Sequence, residues 1–211
     1  MDLQLNPILP CGLGEANAKW VQLSSLNVDA LEVRRCRDTA IDPSHQLEKM
    51  LPTMTTLTEL HMGRLSQLAK ISGVLATLPP QLEVLDMFYN YFRVSPSFCE
   101  ALSRMTALRK LGMSQCHLDD NGLALLTPAL ANCHALTSLH MNDNYNLTGV
   151  AVSTLVSGLT KLQLLHLENC RLKDHDVAEL VRSLYDHHHL TSLNLSYNHL
   201  AGESGHALTN W

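Results

Sequence analysis

One spacing of apolar residues is written repeatedly in this chain. The pattern L-x-x-L-x-L appears as "LTSLNL" at 190–195, "LQLLHL" at 162–167 and, with methionine last, "LTSLHM" at 136–141. Counted from its first apolar position, it starts at Val28, Leu57, Leu82, Leu108, Leu136, Leu162 and Leu190, with successive spacings of 29, 25, 26, 28, 26 and 28 residues. Self-similarity at a fixed period of roughly 20–50 residues marks a repeat architecture rather than one irregular core.

Each unit has two physical halves. In the first, apolar residues alternate, as in Leu139-x-Met141 and Leu165-x-Leu167, which is the period of a half-buried strand. In the second they recur at helical spacing: Leu123, Leu126 and Leu130, or Val177, Leu180, Val181 and Leu184. Asp42-Pro43 and Ser95-Pro96 place a capping side chain before a proline at the first helical position, and Asp119 or Asp120 can cap the helix that follows Leu118. Such a unit cannot bury its apolar face alone, so units must stack. Strands sit about 4.8 Å apart and helices are about 10 Å wide, so the strand side of the stack curves inward. The expectation is an α/β solenoid of about seven to eight units, with parallel strands on the concave face and helices on the convex one.

The residue three places after the last strand position is informative. It reads Cys36, Leu65, Asn90, Cys116, Asn144, Cys170 and Asn198, and from Asn90 onward asparagine and cysteine alternate. At this corner the chain leaves the strand, and an inward side chain must satisfy backbone groups. Asparagine offers a donor and an acceptor; cysteine is a small, largely apolar alternative with a weak donor. This alternation, the period of 26–28 residues and the outer helix resemble the ribonuclease-inhibitor-like class of leucine-rich repeats over roughly residues 28–200. The resemblance implies the curved horseshoe fold and says little about function, because the class serves many partners.

The second unit departs from the pattern with Leu65 at its corner, and its outer element is expected to be irregular and closed by Pro79-Pro80. Residues 1–27 read as a partial first repeat or N-terminal cap, with Leu3 and Leu5 on a strand, Ile8 at the corner and Trp20 packed inward; residues 28–211 read as the repeats proper, continuous with it. No dedicated polar cap is evident at either end. The ends are therefore expected either to be covered by a partner or a second copy, or to be closed by Trp20 and Trp211 as apolar lids.

Bulk properties exclude some functions. Net charge is −5 with histidine neutral, and the only basic run is "RRCR" at 34–37, so no phosphate-tracking surface and no nucleic-acid partner are expected. No stretch reaches membrane-spanning length and the N-terminus lacks the pattern of a signal peptide, so no membrane partner is expected. Cysteines at 11, 36, 99, 116, 133 and 170 form no CxxC pair, which suggests reduced thiols and an intracellular, cytoplasmic protein. Asn146-Leu-Thr148 and Asn194-Leu-Ser196 match the glycosylation pattern, which such a location would leave unused.

Candidate functional residues lie where alternation turns side chains to the concave side. The fifth-position row is Glu32, His61, Asp86, Gly112, His140, His166 and Asn194; the seventh is Arg34, Gly63, Phe88, Ser114, Asn142, Glu168 and Ser196. His140 and His166 should be neighbours on adjacent strands, with Glu168 two residues along. Two imidazoles and a carboxylate can hold zinc, yet a flat sheet face does not readily converge them, so a solvated polar surface is expected and no metal or other cofactor is assigned. Neighbouring histidines would also resist charging together. His187-His188-His189 reads as a surface turn, and Arg34, with Arg35 and Arg37, as a charged edge or an arginine finger. Phe88, Tyr89 and Tyr197 are the best candidates for partner contact, although Phe88 could instead fold over the edge against Phe92.

The expected function is a non-catalytic scaffold that grips a protein partner through Asp86, Phe88, Tyr89, His140, His166, Glu168, Tyr197 and Arg34 on the concave strands and rim. An open curved sheet lacks the water-excluded pocket that catalysis needs. The repeat resemblance leaves two alternatives: a GTPase regulator of the Ran-cycle type, and the ligand-sensing segment of a larger receptor.

Overall fold

A computed structural model describes residues 2–4, 23–28, 43–65 and 71–202. Eight strands form one sheet in sequence order, every neighbouring pair parallel. They are β1 (Asp2–Gln4), β2 (Ser25–Asn27), β3 (Glu59–His61), β4 (Val84–Asp86), β5 (Lys110–Gly112), β6 (Ser138–His140), β7 (Leu164–His166) and β8 (Ser192–Asn194). Six described helices line the other side: α1 (Pro43–Met50), α2 (Ile71–Ala76), α3 (Pro96–Ser103), α4 (Asp120–Leu130), α5 (Gly149–Ser157) and α6 (Asp174–Ser183). Each helix packs on the next and each strand on the next, so every rung contacts its neighbours and the stack is a solenoid.

The repeated spacing explains the core. Leu60, Leu85, Leu111, Leu139 and Leu165 are in register across the sheet and are 0% exposed. The first and sixth positions of the rungs from β2 to β7, such as Leu108 and Met113, are buried too and join one continuous apolar seam with the inner faces of the helices, against which Leu190 and Leu195 of the β8 rung pack partly buried. Burying a leucine-sized side chain contributes about 1.5–3 kcal/mol, and the seam repeats that gain at every rung. Helix starts follow the sequence: Ser95 Oγ accepts from the Phe98 amide and Asp119 Oδ1 from the Gly122 amide, each satisfying a first-turn donor. Asp42 lies outside the described residues. In the second unit α2 is short, and Pro79 is buried three residues before Leu82.

One register differs from the sequence reading. Leu26 pairs with Leu60, and the Val28 amide donates to the His61 carbonyl, the bond that a sixth-position residue makes in later rungs. The rung is therefore Leu23-x-x-Leu26-x-Val28: Val28 ends the strand pattern rather than opening it, and Asn27, not Glu32, pairs with His61. Val28-x-x-Leu31-x-Val33 satisfies the same apolar spacing, so composition alone could not choose; inter-strand pairing does. Cys36, assigned to a corner, and Arg34, assigned to the rim, were counted from that start and lie outside the described residues. Leu3 on β1 pairs with Leu26, as its strand alternation implied; Leu5, Ile8, Trp20 and Trp211 are outside the described residues.

The corners explain the alternation of asparagine and cysteine. Each side chain reaches back to the carbonyl ending the previous strand pattern. Asn90 Nδ2 donates to Met62 O (2.7 Å), Cys116 Sγ to Met87 O (3.0 Å), Asn144 Nδ2 to Met113 O (3.0 Å), Cys170 Sγ to Met141 O (3.2 Å) and Asn198 Nδ2 to Leu167 O (2.8 Å). Asparagine adds an acceptor: Asn144 Oδ1 takes the amides of Cys116 (3.2 Å) and Leu118 (2.9 Å), and Asn198 Oδ1 those of Cys170 (2.9 Å) and Leu172 (3.0 Å). An asparagine corner thus completes the cysteine corner before it. Even at the apolar corner, the Leu65 amide donates to Asn90 Oδ1 at 2.7 Å.

Candidate functional site

The sheet's inner face is built from the third, fifth and seventh positions, which alternate with the buried leucines. It is polar and mixed in sign, with Asp86, His140, His166 and Asn194 partly exposed along the fifth-position row. Gly112 leaves a notch that Asp86 fills, since a Cβ there would lie 2.4 Å from Asp86 Oδ1. Gly63 leaves another. Phe88 lies across it, with the Arg64 guanidinium 5.6 Å from the ring centroid. Phe88 does not fold against Phe92, which stacks edge-on with Phe98 at 5.6 Å.

His140 and His166 meet as the register requires, their ring centroids 4.7 Å apart and edge to face. Burial, aided by the neighbouring His166 and Lys110 and opposed by Asp86, pushes His140 down to about 4, so it is neutral near pH 7. Ser138 Oγ lies 3.0 Å from His140 Nε2. Glu168 does not join the pair: its Oε2 accepts from Asn194 Nδ2 at 2.9 Å, while its amide donates to Asn142 Oδ1 at 3.0 Å. Among the described residues no three His, Cys, Asp or Glu side chains converge as metal ligands.

The histidine tract divides. His188 and His189 are exposed, but His187 is 5% exposed and its Nε2 donates to the Val156 carbonyl at 2.9 Å. It occupies the row three residues before each first leucine, where Met54, Pro79, Met105, Cys133 and Leu159 are also buried. Reading the tract as a surface turn missed this because the row's chemistry varies while its position does not.

The rim carries the exposed aromatics. Arg64, Tyr89, Gln115, Asp143, Asn169 and Tyr197, all at the eighth position, have φ between 53° and 59°. None is glycine, and only Asp143 and Asn169 are of a type that favours this left-handed turn, so the row as a whole did not announce it. Tyr197 is 80% exposed, Tyr91 53% and Tyr89 37%. One place beyond the corner, residues missed in the sequence continue the row: Tyr91 stacks on His117 at 4.1 Å, and the Arg171 guanidinium lies 4.9 Å from the Tyr145 ring. Extending the positional count past the corner would have found them.

A family model described as a leucine-rich repeat matches residues 186–208, the rung around β8. With eight parallel strands in sequential order and a helix on the outer side, that match decides the architecture.

The fold is a leucine-rich-repeat solenoid.

Two solved structures agree. A leucine-rich repeat-containing protein from Legionella pneumophila superposes with a TM-score of 0.62 at 20% identity, covering 98% of this chain and 68% of that one. The tropomodulin C-terminal domain from Caenorhabditis elegans gives 0.53 at 14% identity, covering 79% and 89%. An internalin from Listeria monocytogenes matches at 20% identity with a TM-score of 0.47, covering 88% of this chain; the chain spans 58% of the internalin's length.

Proposed function

We propose that this chain is a non-catalytic protein-interaction scaffold that docks a partner on the inner sheet face and its C-terminal rim. Leucine-rich-repeat solenoids in general present such extended curved surfaces to proteins. The observation carrying the proposal is the placement of Phe88, Tyr89 and Tyr91 on a rigid parallel sheet: one half-buried ring and two exposed ones, continuous with the polar row of Asp86, His140 and His166. Aromatic anchors beside polar groups are the usual composition of interface hot spots.

The ribonuclease-inhibitor-like subtype is part of the same reading, supported by the asparagine and cysteine corners and by the full helices α4, α5 and α6 on the outer side. We also infer an intracellular setting. Cys116 and Cys170 each use the thiol hydrogen to satisfy a buried carbonyl, a role that requires the reduced form.

Purification of the tagged chain from its native cells tests the proposal. A scaffold returns a stoichiometric companion protein, and Phe88→Ala with Tyr89→Ala reduces its recovery at least tenfold. A folded double variant that recovers the companion unchanged would remove this patch as the docking site.

A further inference from the structure

The rim treats its acids and bases differently. Asp143 Oδ1 accepts from Asn169 Nδ2 (2.7 Å) and Tyr145 Oη (3.4 Å). Asp119 caps α4 through the Gly122 amide, and both Asp120 oxygens take Thr148, one from its amide and one from its hydroxyl, each at 2.9 Å. Each of these carboxylates is engaged by a donor of the protein, and Asp119, capping through Oδ1, is exposed in the same cleft as Arg93. The guanidiniums differ. Arg64 lies against Phe88 and Tyr89, Arg171 against Tyr145, and all of Arg64, Arg93 and Arg171 are exposed. Among the described residues, none of the three has a carboxylate within ion-pair distance.

A guanidinium laid on a ring is held in place with its N–H edges still free, which suits it to a fork-like grip on an incoming carboxylate. Between Arg64 and Arg171 run Tyr89, Tyr91 and His117, and Arg93 lines a cleft of about 720 Å³ with Tyr91, His117 and Leu125. Leu125 is itself 43% exposed. From the β3 rung to the β7 rung is four steps of about 4.8 Å, or about 19 Å, which about six extended residues span.

We propose that this rim binds an acidic, extended segment of a partner protein, its carboxylates gripped by Arg64, Arg93 and Arg171 and its apolar side chains seated on the intervening rings and Leu125. The inference rests on the scaffold reading and names the partner's chemistry. Single-stranded nucleic acid fits less well. The rings already meet one another edge-on or tilted, or lie against guanidiniums, so few faces are free for the flat stacking a base requires, while the exposed ring edges stay open to aliphatic side chains.

The test pans a phage-displayed library of random 12-residue peptides against the full chain, then measures the selected peptides, and a fluorescein-labelled 12-nucleotide single-stranded RNA, by anisotropy. The expected peptides carry at least three Asp or Glu within about six residues. They weaken at least tenfold against Arg64→Glu/Arg93→Glu/Arg171→Glu, and their affinity for the unmodified chain falls as salt rises. The salt series and Arg93→Glu alone decide the matter should the triple variant not fold. Neutral or basic winners, acidic winners indifferent to the arginines or to salt, or RNA binding that the arginines control would each overturn the proposal. Winners that ignore the arginines but are lost on Asp86→Ala with His166→Ala would overturn it while leaving the scaffold reading intact; no winners and no companion protein would remove both.

Discussion

Asn144→Ala is the sharpest probe of how the rungs are held together. The side chain is 0% exposed, accepts from the Cys116 and Leu118 amides, and donates to the Met113 and Met141 carbonyls at 3.0 and 2.8 Å. Alanine leaves the two amides and the Met113 carbonyl without a partner, while the Met141 carbonyl keeps its bond from the Cys170 thiol. Each orphaned buried group costs about 1–3 kcal/mol, and a water entering the vacated space recovers part of it, so a net loss of about 3–4 kcal/mol is expected. Asn144→Cys should lose roughly half as much, because a thiol can keep the Met113 carbonyl bond, as Cys116 and Cys170 do one rung either side. Urea unfolding followed by far-ultraviolet circular dichroism gives the stabilities, and amide hydrogen exchange should rise first at Cys116 and Leu118. A loss below about 1 kcal/mol for alanine, a cysteine variant no better than alanine, or unchanged exchange at those amides would refute the account of the corners.

Further expectations concern other parts of the stack. Asp176 bridges rungs through the Gly149 amide (2.6 Å) and caps its own helix through the Lys173 amide (2.9 Å), so Asp176→Ala should cost about 2–4 kcal/mol by denaturant titration. Gly149→Ala would set a Cβ 2.3 Å from the Asp176 backbone and should lower the melting temperature by several degrees, about 1–3 kcal/mol of overpacking. His140 has a folded pKa of about 4, below its usual value of 6.5, so the unfolded chain takes up its proton first. Stability is unaffected by this group above pH 6.5, falls as pH drops from 6.5 to about 4, and is level below that. With His140 half-buried the loss should be about 1–2 kcal/mol, and His140→Gln should flatten it in unfolding curves measured across that range. Burial raises Cys116 to about 12 and Cys133 and Cys170 to about 11, so among these and the half-exposed Cys99, iodoacetamide at pH 8 should label Cys99 in the folded chain and Cys116, Cys133 and Cys170 only on unfolding, as read by peptide mass mapping.

The parts of this architecture that recur by position could be read in advance. The leucine row centred on Leu60, Leu85 and Leu111, the caps at Ser95 and Asp119, and the meeting of His140 with His166 all follow from spacing, because each rung repeats the same local problem. Reading failed where two registers bury apolar residues equally well, as at Leu23 and Val28, and where a row keeps its burial while changing its chemistry, as at His187. Glu168 could be placed on the inner face beside the histidines, but its direction could not: Asn194, on the next strand, takes its carboxylate. The left-handed rim from Arg64 to Tyr197 also had only a broken local signature, since none of its residues is glycine and only Asp143 and Asn169 favour that region.

What the amino-acid order determined by itself was the periodic burial pattern, and through it a stack of parallel strands backed by helices. A unit with one apolar face has no other way to hide it. The tertiary structure alone decided which of two spacings became a rung, which side chains complete a neighbour's backbone, and which charges face outward. Those choices depend on groups some 24–34 residues apart in the chain, brought together only when one rung lies on the next.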